Sequence, residues 1–285
     1  MKRVAVLGGT GMAGHVVVAY LEKCGYNVQY MSRSSIDSSN SRAIDATDIS
    51  ALLKWLDYVK PEIVVNCMGL LIKGSEKRPD LAIFLNSFIP RYLEHMYSNT
   101  YVKIIHISTD CVFSGKRGGY LESDSPDGES IYDRSKALGE IVNAKDLTFR
   151  MSIIGPDVDV NGEGLFNWFM SQQGTILGYS NALWNGITTL ELARAIEQAI
   201  QQELTGLYHL TSKEAIDKLN LLKIFKEIFE RNDICIKPFQ GLVSNKTLLS
   251  TRTDFDFKII PYQQQIKNLR LWVEENRILY NHYRK

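Results

Sequence analysis

The segment Val4-Ala-Val-Leu-Gly8-Gly9-Thr10-Gly11-Met12-Ala13-Gly14 constrains this chain more than any other stretch. A short apolar run at residues 4–7 is broken by glycine, and a helical pattern follows at 12–24. Gly25 stands where a helix takes its terminal left-handed glycine. Strand, glycine turn and helix in that order predict the opening of a parallel sheet. Gly8 would permit the tight turn, Gly11 would let a pyrophosphate approach the backbone, and Gly14 would let the helix pack close to the sheet. Free N–H groups and the helix dipole favour negative charge at that position. The pattern predicts a dinucleotide site.

The alternation continues. Apolar runs at 28–31, 62–66, 103–107 and 147–151 predict strands, and 51–58, 81–96 and 132–142 predict helices. Continuous apolar strands alternating with helices mean a parallel sheet covered on both faces, and right-handed crossovers make it doubly wound. The polar stretch 32–42 reads as a surface loop. The second half is less regular. Thr188-x-x-Glu191 fits a capping box opening a helix through residue 200, and 207–210 reads as a strand. Leu221, Leu222, Phe225, Ile228 and Phe229, and then Ile266, Leu269 and Val273, lie at helical spacing and read as core. The expected division is a dinucleotide-binding core at 1–155 and a small substrate lobe at 156–285, with about 185–210 returning to the core.

Composition removes several alternatives. The chain of 285 residues carries 33 Lys and Arg against 32 Asp and Glu, so no basic excess points to nucleic acid or an anionic membrane. The apolar stretch 16–21 is too short to span a bilayer. Cys24, Cys67, Cys111 and Cys235 are scattered without a CxxC pair, and the five histidines lack ligand spacing. Free thiols in a reducing, cytoplasmic compartment and no metal are expected.

Two further segments carry chemistry. The second strand ends in Met31-Ser32-Arg33-Ser34, with no carboxylate until Asp37. A hydroxyl and a guanidinium there suit the 2′-phosphate of NADPH, with NADH as the second choice. Asp45 is a candidate to touch the adenine. In Tyr132-Asp-Arg-Ser-Lys136 the phenol and ammonium are four residues apart, on one helix face. An adjacent ammonium is expected to lower the phenol pKa from about 10, so that it can exchange a proton with a substrate oxygen. Ser108 and Thr109 end a predicted parallel strand, where open α/β sheets place their ligands. Thr109, helped by Ser108, would hydrogen-bond the reacting oxygen.

With these motifs in order, the sequence resembles an extended short-chain dehydrogenase/reductase of the dTDP-4-dehydrorhamnose reductase group. The resemblance rests on residues 8–14, Val65-Asn66-Cys67-Met68-Gly69, Leu85-Asn86-Ser-Phe-Ile-Pro90, 108–115, 132–140 and Arg150-Met-Ser-Ile-Ile-Gly155. It implies a Rossmann-like fold and a catalytic set of Thr109, Tyr132 and Lys136, with Asn86 holding the catalytic helix and a relay water. It further implies Thr10, Met12, Ala13, Ser108, Cys67, Met68 and Gly69 at the cofactor, and Ser152 with Ile153 beside the nicotinamide and substrate. Cys111, Val112, Ile153 and Trp184 would face the substrate; Asn161, Asn167, Trp168 and Asn185 are lobe candidates for gripping a nucleoside diphosphate. Dimerisation through helices flanking the sheet also follows from the resemblance.

The group often has Tyr and Trp where this chain has Cys111 and Ile153. Losing both aromatic groups changes the pocket's shape and stacking. The reading is NADPH-dependent reduction of a 4-keto nucleotide sugar, either the dTDP-linked rhamnose precursor or a UDP-linked N-acetylated relative. The alternatives are an epimerase or dehydratase, a reductase of a non-sugar ketone, and a regulatory subunit like the methionine adenosyltransferase β subunit.

Overall fold

The computed structural model describes residues 1–34 and 37–283. The first half runs β1 (Arg3–Leu7), α1 (Gly14–Lys23), β2 (Asn27–Ser32), β3 (Ser41–Ala43), α2 (Ile49–Val59) and β4 (Ile63–Asn66). It continues through α3 (Ile72–Lys77), α4 (Pro79–Ile83), α5 (Ile89–Tyr97), β5 (Lys103–Ile107), α6 (Ile131–Leu138) and β6 (Leu147–Arg150). Beyond it lie β7 (Ile153–Ile154), α7 (Leu165–Ser171), β8 (Gly174–Tyr179), β9 (Ala182–Trp184), β10 (Ile187–Thr188), α8 (Thr189–Gln201) and β11 (Gly206–His209). The chain closes with β12 (Ile216–Asp217), α9 (Lys218–Ile228), β13 (Ile234–Phe239), β14 (Ser244–Asn245) and α10 (Tyr262–Glu275).

Seven strands form one parallel sheet in the order β11-β6-β5-β4-β1-β2-β3. The order reverses direction at β1 and β4, which opens a crevice at their carboxyl ends. Strand β1 explains the double cover. Val4 and Val6 pack with Val17 and Leu21 of α1, while Ala5 and Leu7 pack with Leu52 and Leu56 of α2. Alternate side chains of one buried strand thus belong to opposite cores.

Three expectations change. The 32–42 stretch is not all loop, because Ser41–Ala43 adds an edge strand beside Tyr30–Ser32. Pairing with β2 satisfies a backbone that has no apolar pattern to announce it. The 81–96 helix is interrupted by a π turn at Phe84–Phe88. The capping box also moves. Thr188 accepts from the Glu191 amide at 3.3 Å, but its own amide donates to Gln265 Oε1 at 3.0 Å, and Glu191 pairs with Arg194. A reciprocal box instead opens α6, where Ser130 and Asp133 each bond the other's amide at 3.1 Å.

The second half makes small sheets, β10 with β7, β8 with β13, and β9 between β12 and β14. Strand β11 returns to the main sheet beside β6, and α8 packs against α1. A final 3-10 turn at Asn281–Tyr283 follows α10. No helix among the described residues is long and apolar enough to cross a membrane.

Candidate active site

The glycine turn lies between β1 and α1 at the sheet's reversal point. Gly8 is left-handed, with φ +76°, and an added Cβ would crowd the Met68 backbone at 3.1 Å. At Gly14 an added Cβ would stand 2.1 Å from the Gly8 carbonyl. Sequence reasoning missed Gly9, where a Cβ would meet the Tyr30 ring at 2.5 Å. Gly11 differs from all three. Its nearest neighbour would be the Gly8 carbonyl at an ordinary 3.5 Å, so the protein's own packing does not demand glycine there.

No side chain caps α1, and no acidic residue stands in its first turn. Among the described residues, the amides of Met12 and Ala13 donate to nothing in the protein. An exposed glycine with open space above it, next to free amides at a helix N-terminus, fits a diphosphate. Met12 packs towards Gly164, its sulfur 2.9 Å from where a Cβ on that glycine would lie.

At the end of β2, the Thr10 hydroxyl donates to Ser32 Oγ at 2.7 Å and lies 3.0 Å from Ser34 Oγ. Ser32 is buried, whereas Arg33 is exposed and its guanidinium helps hold the Asp45 carboxyl below its ordinary range. The larger cause at Asp45 is the Thr47 amide and hydroxyl, at 2.9 and 2.8 Å. Asp37 is taken by the Ala43 amide at 2.8 Å. The strand end therefore offers hydroxyls and a free-standing guanidinium, a donor set that suits a phosphate monoester. The expected cofactor residues Thr10, Ser32 and Arg33 fall on this patch, with Ser34 beside them.

Beyond β4, Cys67, Met68 and Gly69 run along the crevice towards Lys136. A Cβ on Gly69 would be 3.5 Å from Asn86 Oδ1 and 4.0 Å from Lys136 Nζ. Burial pushes the Cys67 thiol up to about 12, against the opposing Lys136 charge. Asn86 lies fully buried in the π turn. Its amide accepts from Leu70 N at 2.8 Å and donates to Leu70 O at 3.1 Å and Ser135 Oγ at 3.0 Å. Ser87 Oγ adds a bond to the Ser135 carbonyl at 2.7 Å. Asn86 and Ser87 thus clamp α6 to the crevice wall, a use of π geometry that helical periodicity hides.

Thr109 follows β5 and caps the 3-10 turn Asp110–Val112, accepting from Cys111 N at 3.1 Å. Tyr132 and Lys136 share one face of α6. The Tyr132 phenol faces Thr109, and its pKa is raised, not lowered as the sequence suggested. Burial is the main cause; the Cys111, Asp110 and Asp133 charges add to it, and the Thr109 hydroxyl opposes it. Lys136 exerts its charge elsewhere, because its Nζ donates to the Ile107 carbonyl at 2.7 Å. Burial brings the Lys136 pKa down to about 8, with Glu140 and Cys67 opposing.

Several residues chosen from sequence have their side chains committed to other partners. The Ser108 hydroxyl points to Glu140 Oε1 at 2.6 Å, because a buried carboxylate needs donors. Val112 is fully buried with Phe113, Tyr120 and Leu248. Trp184 is 3% exposed, beneath Lys218 Nζ at 4.6 Å and beside Tyr262 at 5.6 Å, so its ring faces are not open to a base. Asn167 donates to the Asp159, Val160 and Gly162 carbonyls, and Asn185 bonds Ser212 and Leu248 backbone. Both hold their own loops. Asn161 and Trp168 are surface residues, and Ile153 is half-buried on β7 beside Ile187. Cys111 does lie at the phenol, with its thiol pushed up to about 12 by burial and by Asp110.

A seven-stranded parallel sheet, a glycine turn at its switch point and a Thr–Tyr–Lys set across the crevice define a short-chain dehydrogenase/reductase-like architecture. Residues 1–170 match the RmlD substrate binding domain family, and the chain belongs to that family. It is 28% identical over 224 residues to the probable low-salt glycan biosynthesis reductase Agl14 of Haloferax volcanii, covering 74% of this chain and 75% of that one. It is 24% identical to the dTDP-4-dehydrorhamnose reductase of Aggregatibacter actinomycetemcomitans, over 96% of this chain and all of that one. The crystal structure of dTDP-4-dehydrorhamnose reductase from Bacillus anthracis, in complex with NADP, superposes with a TM-score of 0.80 at 20% identity, covering 95% of this chain and 99% of that one.

Proposed function

We propose that this protein is an NADPH-dependent reductase of a 4-keto nucleotide sugar. The observation that carries the reading is the Tyr132 phenol facing Thr109, with Lys136 one turn along α6, across the crevice from an uncapped glycine turn. The relatives named dTDP-4-dehydrorhamnose reductase support the substrate class.

Bound at the crevice, NADPH would supply the hydride that the carbonyl carbon receives. The free Met12 and Ala13 amides would hold the diphosphate, and Thr10, Ser34 and Arg33 would hold the 2′-phosphate. Lys136 reaches the crevice wall at Gly69 and would orient the nicotinamide ribose. The Thr109 hydroxyl positions the substrate oxygen. Tyr132, kept protonated by burial, donates the phenolic proton to that oxygen as the carbon–oxygen double bond becomes single. Proximity of the aligned groups contributes several kcal/mol.

The division into a core at 1–155 and a substrate lobe belongs to this reading, with β10, α8 and β11 serving the core. So do a cytoplasmic location and a homodimer through the helices beside the sheet. The test is NADPH oxidation across dTDP- and UDP-linked 4-keto sugars. Stoichiometric consumption with one of them supports a reductase. A product formed without net NADPH oxidation would instead identify an epimerase or dehydratase.

A further inference from the structure

The C-terminal turn reaches the glycine turn through a single chain of hydrogen bonds. Trp272 Nε1 lies 3.1 Å from the Tyr280 hydroxyl, which lies 2.6 Å from His15 Nε2. His15 Nδ1 in turn lies 2.8 Å from the Gly11 carbonyl. With a neutral imidazole the direction of every bond is fixed. An indole N–H only donates and a carbonyl only accepts. His15 therefore carries its proton on Nδ1, its Nε2 accepts, and Tyr280 donates to it. Burial keeps this imidazole neutral, lowering its pKa from 6.5 to about 4.

Within the glycine turn, Gly11 is the position whose missing side chain the protein's own packing does not require. Its carbonyl also accepts from the His15 amide at 3.1 Å. In a planar trans peptide the N–H points opposite to the C=O. Pinning the Gly11 carbonyl therefore sets the direction of the Met12 N–H, which donates to nothing among the described residues. Tyr280 is 1% exposed and has a T-shaped contact with the His15 ring at 5.7 Å, so the arrangement is packed as well as bonded. Tyr283, in the same turn, is held differently: its hydroxyl accepts from the Asp157 amide at 2.8 Å.

We propose that Trp272, Tyr280 and His15 form a positioning relay by which the C-terminal turn fixes the Gly11–Met12 peptide for a dinucleotide diphosphate. The proposal rests on the reading that a dinucleotide binds at the glycine turn. None of the three residues touches the reacting atoms. They act by holding a peptide plane before the ligand arrives, which lowers the ordering cost of binding.

The test is calorimetric binding of NADP⁺ to the full chain and to two single variants. Wild-type binding establishes the underlying reading by itself; its absence would remove that reading and the relay together. Tyr280→Phe removes one hydroxyl and should weaken NADP⁺ about three- to tenfold, as expected for losing one hydrogen bond. It should raise the KM for NADPH and leave kcat unchanged. Tyr283→Phe removes a hydroxyl from the same turn but not from the relay, and its Kd should stay within about twofold of wild type. Adenosine 2′-phosphate has no diphosphate, so wild type and Tyr280→Phe should bind it alike. Thermal melts of both variants report folding separately. Tight NADP⁺ binding by wild type with an unchanged Kd in folded Tyr280→Phe overturns the relay, and so does equal weakening by the two variants.

Discussion

Arg150 and Glu140 form a two-point ion pair inside the protein, with Nε to Oε1 at 2.8 Å and Nη2 to Oε2 at 2.6 Å. Ser108 adds a third bond to the carboxylate, and His209 Nε2 lies 3.0 Å from the other guanidinium nitrogen. The pair joins the end of β6 to the segment just after α6, and Ser108 ties it to the end of β5. Removing one partner leaves a buried charge without compensation, at a cost of about 3–5 kcal/mol. Arg150→Met should therefore lower the denaturation midpoint sharply. Urea titration reads this directly, and a change below about 1 kcal/mol would contradict the buried-pair account.

Tyr132→Phe keeps the ring and removes the proton donor. Reduction should slow by about 10²–10⁴-fold, the usual range for losing a positioned acid, while NADP⁺ affinity stays near wild type. Single-turnover kinetics beside calorimetry separate the two effects. Retention of full turnover would exclude Tyr132 as the donor.

Lys136 gives the pH dependence a sign. Its depressed pKa of about 8 means that the ammonium is present below that pH and lost as pH rises through it. The raised Tyr132 pKa leaves the phenol protonated across the same window. A pH profile of kcat/KM should therefore show one descending limb near 8. A profile flat to pH 10 would show that reduction does not need this ammonium.

The glycines of the turn should separate by experiment. Gly14→Ala places a methyl 2.1 Å from a carbonyl and should destabilise the fold by about 1–3 kcal/mol. Gly11→Ala meets no such contact, so its melting temperature should hold while NADP⁺ binding falls. Paired thermal melts and binding titrations check this, and a Gly11→Ala protein that binds normally would show the space above it to be unused.

His15 is buried neutral, with a folded pKa near 4 against an ordinary 6.5. Between these values the unfolded chain binds a proton that the folded chain refuses. Stability should therefore fall as pH drops through that window, by at most about 1.4 kcal/mol per pH unit, and level off below it. Chemical denaturation from pH 7 to 4 tests the slope, which His15→Gln should flatten.

The repeating pattern of the first half was legible because its cause is local. The runs at 4–7, 63–66, 104–107 and 147–150 are buried on both faces, and the expected strand at 103–107 has the bounds of β5. Gly8 and Gly14 follow from the same logic, since a tight turn and a close helix leave no room for a side chain. The Tyr132–Lys136 spacing is likewise a property of one helix.

What the sequence alone determined is therefore the order of strands and helices, the turn that joins the first pair, and the one-turn separation of phenol and ammonium. Short-range backbone geometry dictates each of these. Only the tertiary structure decided which side chains face the crevice. Ser108 turned to Glu140, Val112 and Trp184 went into the core, and burial among acidic neighbours raised the Tyr132 pKa that adjacency had suggested would fall. It also decided that Tyr280, 265 residues from His15, completes the support of the glycine turn. Burial and hydrogen-bond partnership depend on residues far apart in the chain, and no local pattern encodes them.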